Sequence, residues 1–194
     1  MKQEVMWLMK CVAAMCVIMV SGCSGGRHLD VWHDSTMDFA SVKTVAVLPF
    51  ANLSQLQQAG SRVRDTFMVR LMATEGVYVL PPGEVARGIA RAGLGDPSAP
   101  SQEEAVKFCS LIKADAVITG VVREYGDARS GSAVAGIIAI SMNMLEGQTG
   151  RVVWTSSAEE GGISMKDRLL GSSGKPMNDI TEKAIDDIID KLFK

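Results

Sequence analysis

Four kinds of residue in this chain could do chemistry. Cysteine stands at positions 11, 16, 23 and 109, and its thiolate is a nucleophile and a metal ligand. Both histidines fall in one stretch, His28-Leu-Asp-Val-Trp-His-Asp34, where imidazoles beside carboxylates could hold zinc. Gly171-Ser-Ser-Gly-Lys-Pro176 has the look of a phosphate loop. Two carboxylate pairs, Glu159-Glu160 and Asp186-Asp187, could serve acid–base work.

Most of these candidates fail on spacing. A Walker loop needs Gly five places before its second Gly and Ser or Thr after the Lys, where this chain has Leu169 and Pro176. No GxGxxG follows the first expected strand, and no GxSxG elbow occurs in the folded region. Beyond Val42 there is no further His to complete a zinc set with His28 and His33. That segment is expected to be solvated or to dock a partner, with Trp32 packing on a neighbouring subunit. The carboxylate pairs are expected on solvated faces. The expectation is no enzyme, no cofactor and no metal.

Cys23 is the exception. Lys2 and Lys10 supply positive charge, and the apolar run from Cys11 to Val20 is shorter than the roughly 20 residues that cross a bilayer. A positive start, a short apolar run and small residues at its end read as a secretory signal. Val20-Ser-Gly-Cys23 resembles a bacterial lipobox, in which the Cys sulfur takes a diacylglyceryl group and cleavage leaves an acylated N-terminus. Lipidation is therefore expected at Cys23. Ser24, in place of Asp, favours the outer membrane, with the domain in the periplasm.

Cleavage after Gly22 removes Lys2, Lys10 and Glu4 and takes the formal charge from -2 to -3. It also leaves Cys109 without a disulfide partner. Cys109 shares a helical face with Ala105, Phe108 and Ile112, so it reads as a core residue.

The elements that must carry these residues follow from composition and period. The 194 residues are 47% hydrophobic and 22% charged, which excludes wholesale disorder. The acidic balance, with a pI of about 5.7, gives no basic field for nucleic acid. The expected organisation is a signal peptide over 1–22, a lipidated N-terminus and flexible tether over 23–41, and one α/β domain over 42–194. Lys43-Thr-Val-Ala-Val-Leu-Pro-Phe50 reads as a strand buried on both faces. Ser54 and Gln57 look like a capping box for a helix carrying Val63, Phe67 and Leu71, and Ser101 and Glu104 like one for the Cys109 helix. Strands are also read near 77–80, 115–125, 133–145 and 152–158, a helix over 83–92, and a Gly/Ser-rich connection over 161–176. A last helix presents Ile180, Ala184, Ile188 and Leu192. The expected order is β-α-β-α-α-β-β-β-α, a mixed sheet packed with helices. Val45, Val47, Ile118 and Val121 are expected in its central strands.

Three segments then resemble the hallmarks of CsgG-type lipoproteins: Lys43-Thr-Val-Ala-Val-Leu-Pro-Phe-Ala-Asn52, Ala114-Asp-Ala-Val-Ile-Thr-Gly-Val121 and Gly147-Gln-Thr-Gly-Arg-Val-Val-Trp154. That group takes in the curli-secretion protein CsgG and, more distantly, the penicillin-binding-protein activator LpoB and the N-terminal domain of TolB. The resemblance implies an anticodon-binding-domain-like α/β fold on a lipid-anchored envelope protein, with no catalytic residue. It departs at the pore. Residues 129–140 form one apolar insertion, too short for two membrane hairpins of roughly nine residues per strand.

The expected role is structural or assembly work, as a homo-oligomer or by docking an envelope protein, without a self-made pore. The alternative is a regulatory module that activates a periplasmic enzyme such as a peptidoglycan synthase. The interface is expected on the stretch from Ala133 to Met144, flanked by Ser132, whose small residues allow close approach and whose Val134, Ile137, Ile138 and Ile140 exceed what a solvent-facing edge tolerates.

Overall fold

The computed structural model describes residues 29–130, 133–162 and 175–192. The elements run β1 (Leu29–His33), β2 (Thr44–Val47), β3 (Ala51–Asn52), α1 (Ala59–Ala73), β4 (Tyr78–Val79), α2 (Pro82–Ala92), α3 (Gln102–Ile112), β5 (Ala116–Ser130), β6 (Ala133–Glu146), β7 (Val152–Gly161) and α4 (Met177–Leu192). They build a mixed α/β fold around one seven-stranded sheet, ordered β1-β7-β6-β5-β2-β4, with β3 pairing β5. β2 runs parallel to β4 and β5, and β5, β6, β7 and β1 are antiparallel in turn.

The expected order lacked two short strands. β3 arises because Pro49, which has no amide hydrogen to donate, splits the first apolar run, after which Ala51 and Asn52 rejoin β5 opposite Val121 and Val122. At this break Arg64 of α1 donates from Nε and Nη2 to the carbonyl of Val47, and from Nε to that of Leu48. Phe50 turns under β5, where only the bare Cα of Gly120 leaves room: a Cβ there would lie 2.9 Å from the ring. β1 is the other addition, and from Leu29 onward it replaces the tether expected over 23–41, whose first residues, 23–28, lie outside the described residues. Leu29 to His33 pair with β7 along their length, and the alternation of exposed Asp30 and Trp32 with the more buried Val31 and His33 is that of a half-buried strand.

Helices fill both sides. α1 and α4 pack Phe67, Leu71, Ile180 and Ile188 on one face against Val45, Val47, Ile118, Ile138 and Trp154, all within 2% of full burial. α2 and α3 pack Val85, Phe108 and Cys109 on the other face against Ala46, Leu48, Val117 and Leu145. Val121, expected in the core, is only half-buried, because neighbouring Gly120 holds the inward place beside Phe50.

Ser101 closes the expected capping box: its hydroxyl accepts from the Glu104 amide at 3.3 Å, while Glu104 Oε2 accepts from the Ser101 amide at 2.8 Å. Ser54 caps nothing. The α1 helix starts at Ala59, and the Ser54 amide and hydroxyl both donate to Asn52 Oδ1 instead. Of the carboxylate pairs expected on solvated faces, Glu159, Asp186 and Asp187 are well exposed and Glu160 is largely covered, and all four have cationic partners. Asp186 pairs with Arg70, Glu159 with Arg123, and Glu160 and Asp187 with Lys183. Two of these contacts lock α4 in place, to α1 through Asp186 and to β7 through the Lys183–Glu160 pair.

Candidate interaction surface

The stretch between Leu29 and Val42 forms a strap along one sheet edge and then across the strand ends to β2. Its turn is set by Asp34. Oδ1 accepts from the Thr36 amide at 2.9 Å and the Thr36 hydroxyl at 2.7 Å, and Oδ2 pairs with Arg151. These contacts, Thr36 first and Arg151 after it, hold the Asp34 carboxyl below the usual carboxylate range. His33 Nε2 lies 2.9 Å from the Lys191 carbonyl at the end of α4, and its ring meets Phe39 edge-on at 5.4 Å. Asp38 then accepts from the Ala40 amide and starts a short 3-10 turn, Phe39–Ser41. His33 and Asp34 are thus occupied in holding the strap. Among the described residues no group of three or more His, Cys, Asp or Glu could hold a metal ion. His28, Cys23 and the 171–174 part of the Gly/Ser loop lie outside the described residues.

Two hollows flank the strap. One, of about 570 Å³, lies among His33, Phe39, Val42, Val77 and Leu192. The second, of about 550 Å³, is bounded by Met37, Cys109, Lys113, Asp115 and Glu146. Asp115 Oδ2 accepts from the amides of Lys43 and Thr44, at 2.9 and 2.8 Å, which fastens the strap's end to β5. Cys109 is 2% exposed, and burial, with the Asp115 charge adding to it, pushes its thiol up to about 12. The thiolate is the reactive form, and burial keeps this thiol protonated at neutral pH. It is a core residue.

A third hollow, about 570 Å³, lies at the far side of the sheet among Leu53, Leu56, Arg123, Tyr125 and Ile137. Leu53 is 71% exposed there. On the strap itself Trp32 is 49% exposed. Pattern alone did not separate Trp32 from a free linker residue.

The expected interface is overturned as an edge. β6 lies inside the sheet, paired with β5 from Ala133 to Glu146 and with β7 from Ile137 onward. Ile138 and Ile140 are fully buried under α4, so their apolar character serves the core of the same chain. Val134 alone of the four large residues is exposed. Among the described residues the sheet order ends in β1 and β4, and β6 before Ile137 is paired on one side only.

The fold and the strap define a mixed α/β domain with apolar side chains exposed at its surface. The chain belongs to the family described as "Putative lipoprotein GNA1162-like", whose profile matches residues 34–194. No curated protein matches the sequence. Among solved structures, the chain is similar to the PelC dodecamer from Paraburkholderia phytofirmans, at 14% identity and a TM-score of 0.59, over 86% of this chain and 97% of that one. It is similar also to lipoprotein GNA1162 from Neisseria meningitidis, at 21% identity and a TM-score of 0.51, over 66% and 90%. The LpoB C-terminal domain from Salmonella enterica follows at 12% identity and a TM-score of 0.49, over 66% and 87%. The CsgG-type assignment, and the anticodon-binding-domain likeness with it, finds no support in these comparisons.

Proposed function

We propose that this is a lipid-anchored protein of the cell envelope that works by docking and assembly. Cys23 carries the lipid, the outer membrane holds the anchor, and the domain faces the periplasm as a homo-oligomer without a pore of its own. The observation that carries this reading is membership of a lipoprotein family over residues 34–194, directly behind Val20-Ser-Gly-Cys23. Among the described residues no helix is long and apolar enough to cross a membrane; the attachment proposed here is the lipid on Cys23. The likeness of fold to a dodecamer supports self-association. With most of β6 internal, the contact between copies falls on the β4 edge with its exposed Tyr78 and on the exposed Leu53. The protein does no chemistry in this reading, since the candidate nucleophile is buried and the carboxylates are paired.

Cys23→Ala is expected to abolish acylation and release the protein from membranes, since stable anchoring rests on several acyl chains. Sedimentation after a salt wash checks this, and a variant that still pellets with membranes overturns the anchor. Light scattering on the eluted protein reads the assembly. A ring or other multimer is expected. A monomer at high concentration would instead support the regulatory reading, in which the domain activates a periplasmic enzyme.

A further inference from the structure

Resting on the Cys23 anchor proposed above, we infer that Trp32 of β1 and Val152 at the start of β7 form a second membrane contact, two exposed apolar side chains on one face of the sheet that enter the lipid–water interface near the acyl chains. Only residues 24–28 separate Cys23 from Leu29. Six extended Cα–Cα steps span at most about 20 Å, so the lipid holds the edge strand close to the bilayer whatever path the linker takes. This edge of the sheet has no further strand among the described residues.

Register fixes what it presents. Trp32 lies opposite Thr155, Thr155 opposite Asn143, and Val152 opposite Leu145. Asn143 and Leu145 share a face of β6, so Trp32 and Val152 lie on that same face, away from α4. They are 49% and 41% exposed. Tryptophan suits such a place, because its large apolar ring carries one polar N–H and settles at headgroup depth. The named charges leave no positive excess: Arg151 is paired with Asp34, and Asp30 on the same face adds one negative charge. The attraction is therefore apolar, and salt should leave it unchanged.

The chain provides its own reporter. Of its three tryptophans, Trp7 leaves with the signal peptide and Trp154 is fully buried, so surface quenching reads Trp32. Mature acylated protein is placed in vesicles of phosphatidylethanolamine and phosphatidylglycerol with brominated chains, with W32F as the background. The expected result is a blue shift of the Trp32 emission on vesicle binding, quenching by the brominated chains and protection from iodide, all persisting in high salt. Acylated, vesicle-bound protein whose Trp32 remains open to iodide overturns the contact and leaves the anchor standing. Trp32 shielded equally without vesicles, and untouched by bromine, also overturns it and assigns the patch to a second copy. Mature protein whose mass shows no acyl groups removes the anchor and this contact together.

Discussion

The two halves of the sheet are built on different terms. In the parallel half, β4, β2 and the first part of β5 lie between α1 on one face and α2 and α3 on the other. Their sequence is correspondingly apolar on both sides, as in Val45-Ala-Val-Leu48, where all four residues are fully buried. In the antiparallel half, α4 covers one face of β6 and β7, and α2 and α3 reach the other only at Leu145. That second face carries half-buried Ser141 and Asn143 on β6 opposite Ser157 and Thr155 on β7, and ends in Trp32. A strand with helices on both faces can offer a partner only its edge, as β4 does at Tyr78. The half with a polar face and a free edge has a whole face as well as an edge open to a membrane or another protein.

The largest effect should come from the shared core. Ile138→Lys places an ammonium group at a fully buried position under α4, beside Trp154 and Ile180 in the main cluster. Burying an unpaired charge is costly enough that the domain is expected to unfold rather than accommodate it. Circular dichroism and thermal melting check this. A folded variant that merely changed from multimer to monomer would show that β6 is an intersubunit surface after all, and the contrast between core strand and free edge would fail.

A smaller change should act on the parallel half alone. Gly88 of α2 faces α3 so closely that a Cβ would lie 2.4 Å from Ile112 Cγ2 and 2.9 Å from Phe108 Cε2. Both are packed side chains in the second core. Gly88→Ala should cost about 1–3 kcal/mol through overpacking, offset in part by the better helix propensity of Ala. Hydrogen exchange should show α2 and α3 loosening while amides between β6 and β7 keep their protection. Equal loss in both halves would mean that the two cores act as one.

Much of this division was legible in the sequence, because each half has its own period. The Lys43–Phe50 run announced a strand buried on both faces, and Ala105, Phe108 and Ile112 announced a helix against it. Ser101 and Glu104 marked a helix start because a capping box has fixed spacing and needs no tertiary partner. Ser54 imitated the same pattern, but Asn52 captured its hydroxyl, a competition between neighbours that spacing does not reveal. β1 was missed for a different reason. Five residues are too few for a period to stand out, and its pairing with β7 joins positions more than a hundred residues apart. The apolar excess of β6 was read correctly, but whether a helix or another chain covered it depended on topology. The free edge, and with it the exposed place of Trp32, became visible only once β1 had joined the sheet.

The smallest expected effect concerns the turn that closes that edge. Asp34 accepts two hydrogen bonds from Thr36 and pairs with Arg151 at the start of β7, so it fastens the end of β1 to the antiparallel half. Its carboxyl lies below the usual range in the folded protein, whereas in the unfolded chain it titrates near the ordinary value of about 3.9. A group depressed on folding stabilises fully above its unfolded pKa and loses that contribution as pH falls through the folded value. Asp34→Asn keeps an oxygen for Thr36 but removes the charge. The variant should therefore melt slightly below wild type at neutral pH, with the gap closing as pH falls below about 4. Because the Arg151 pair is at the surface, added salt should narrow the neutral-pH gap as well. Melting curves of both proteins across that range decide the matter. A gap that persists undiminished to about pH 2 would show that the carboxylate charge has no part in holding β1. The edge would then be fastened by the backbone ladder and by His33 on the end of α4.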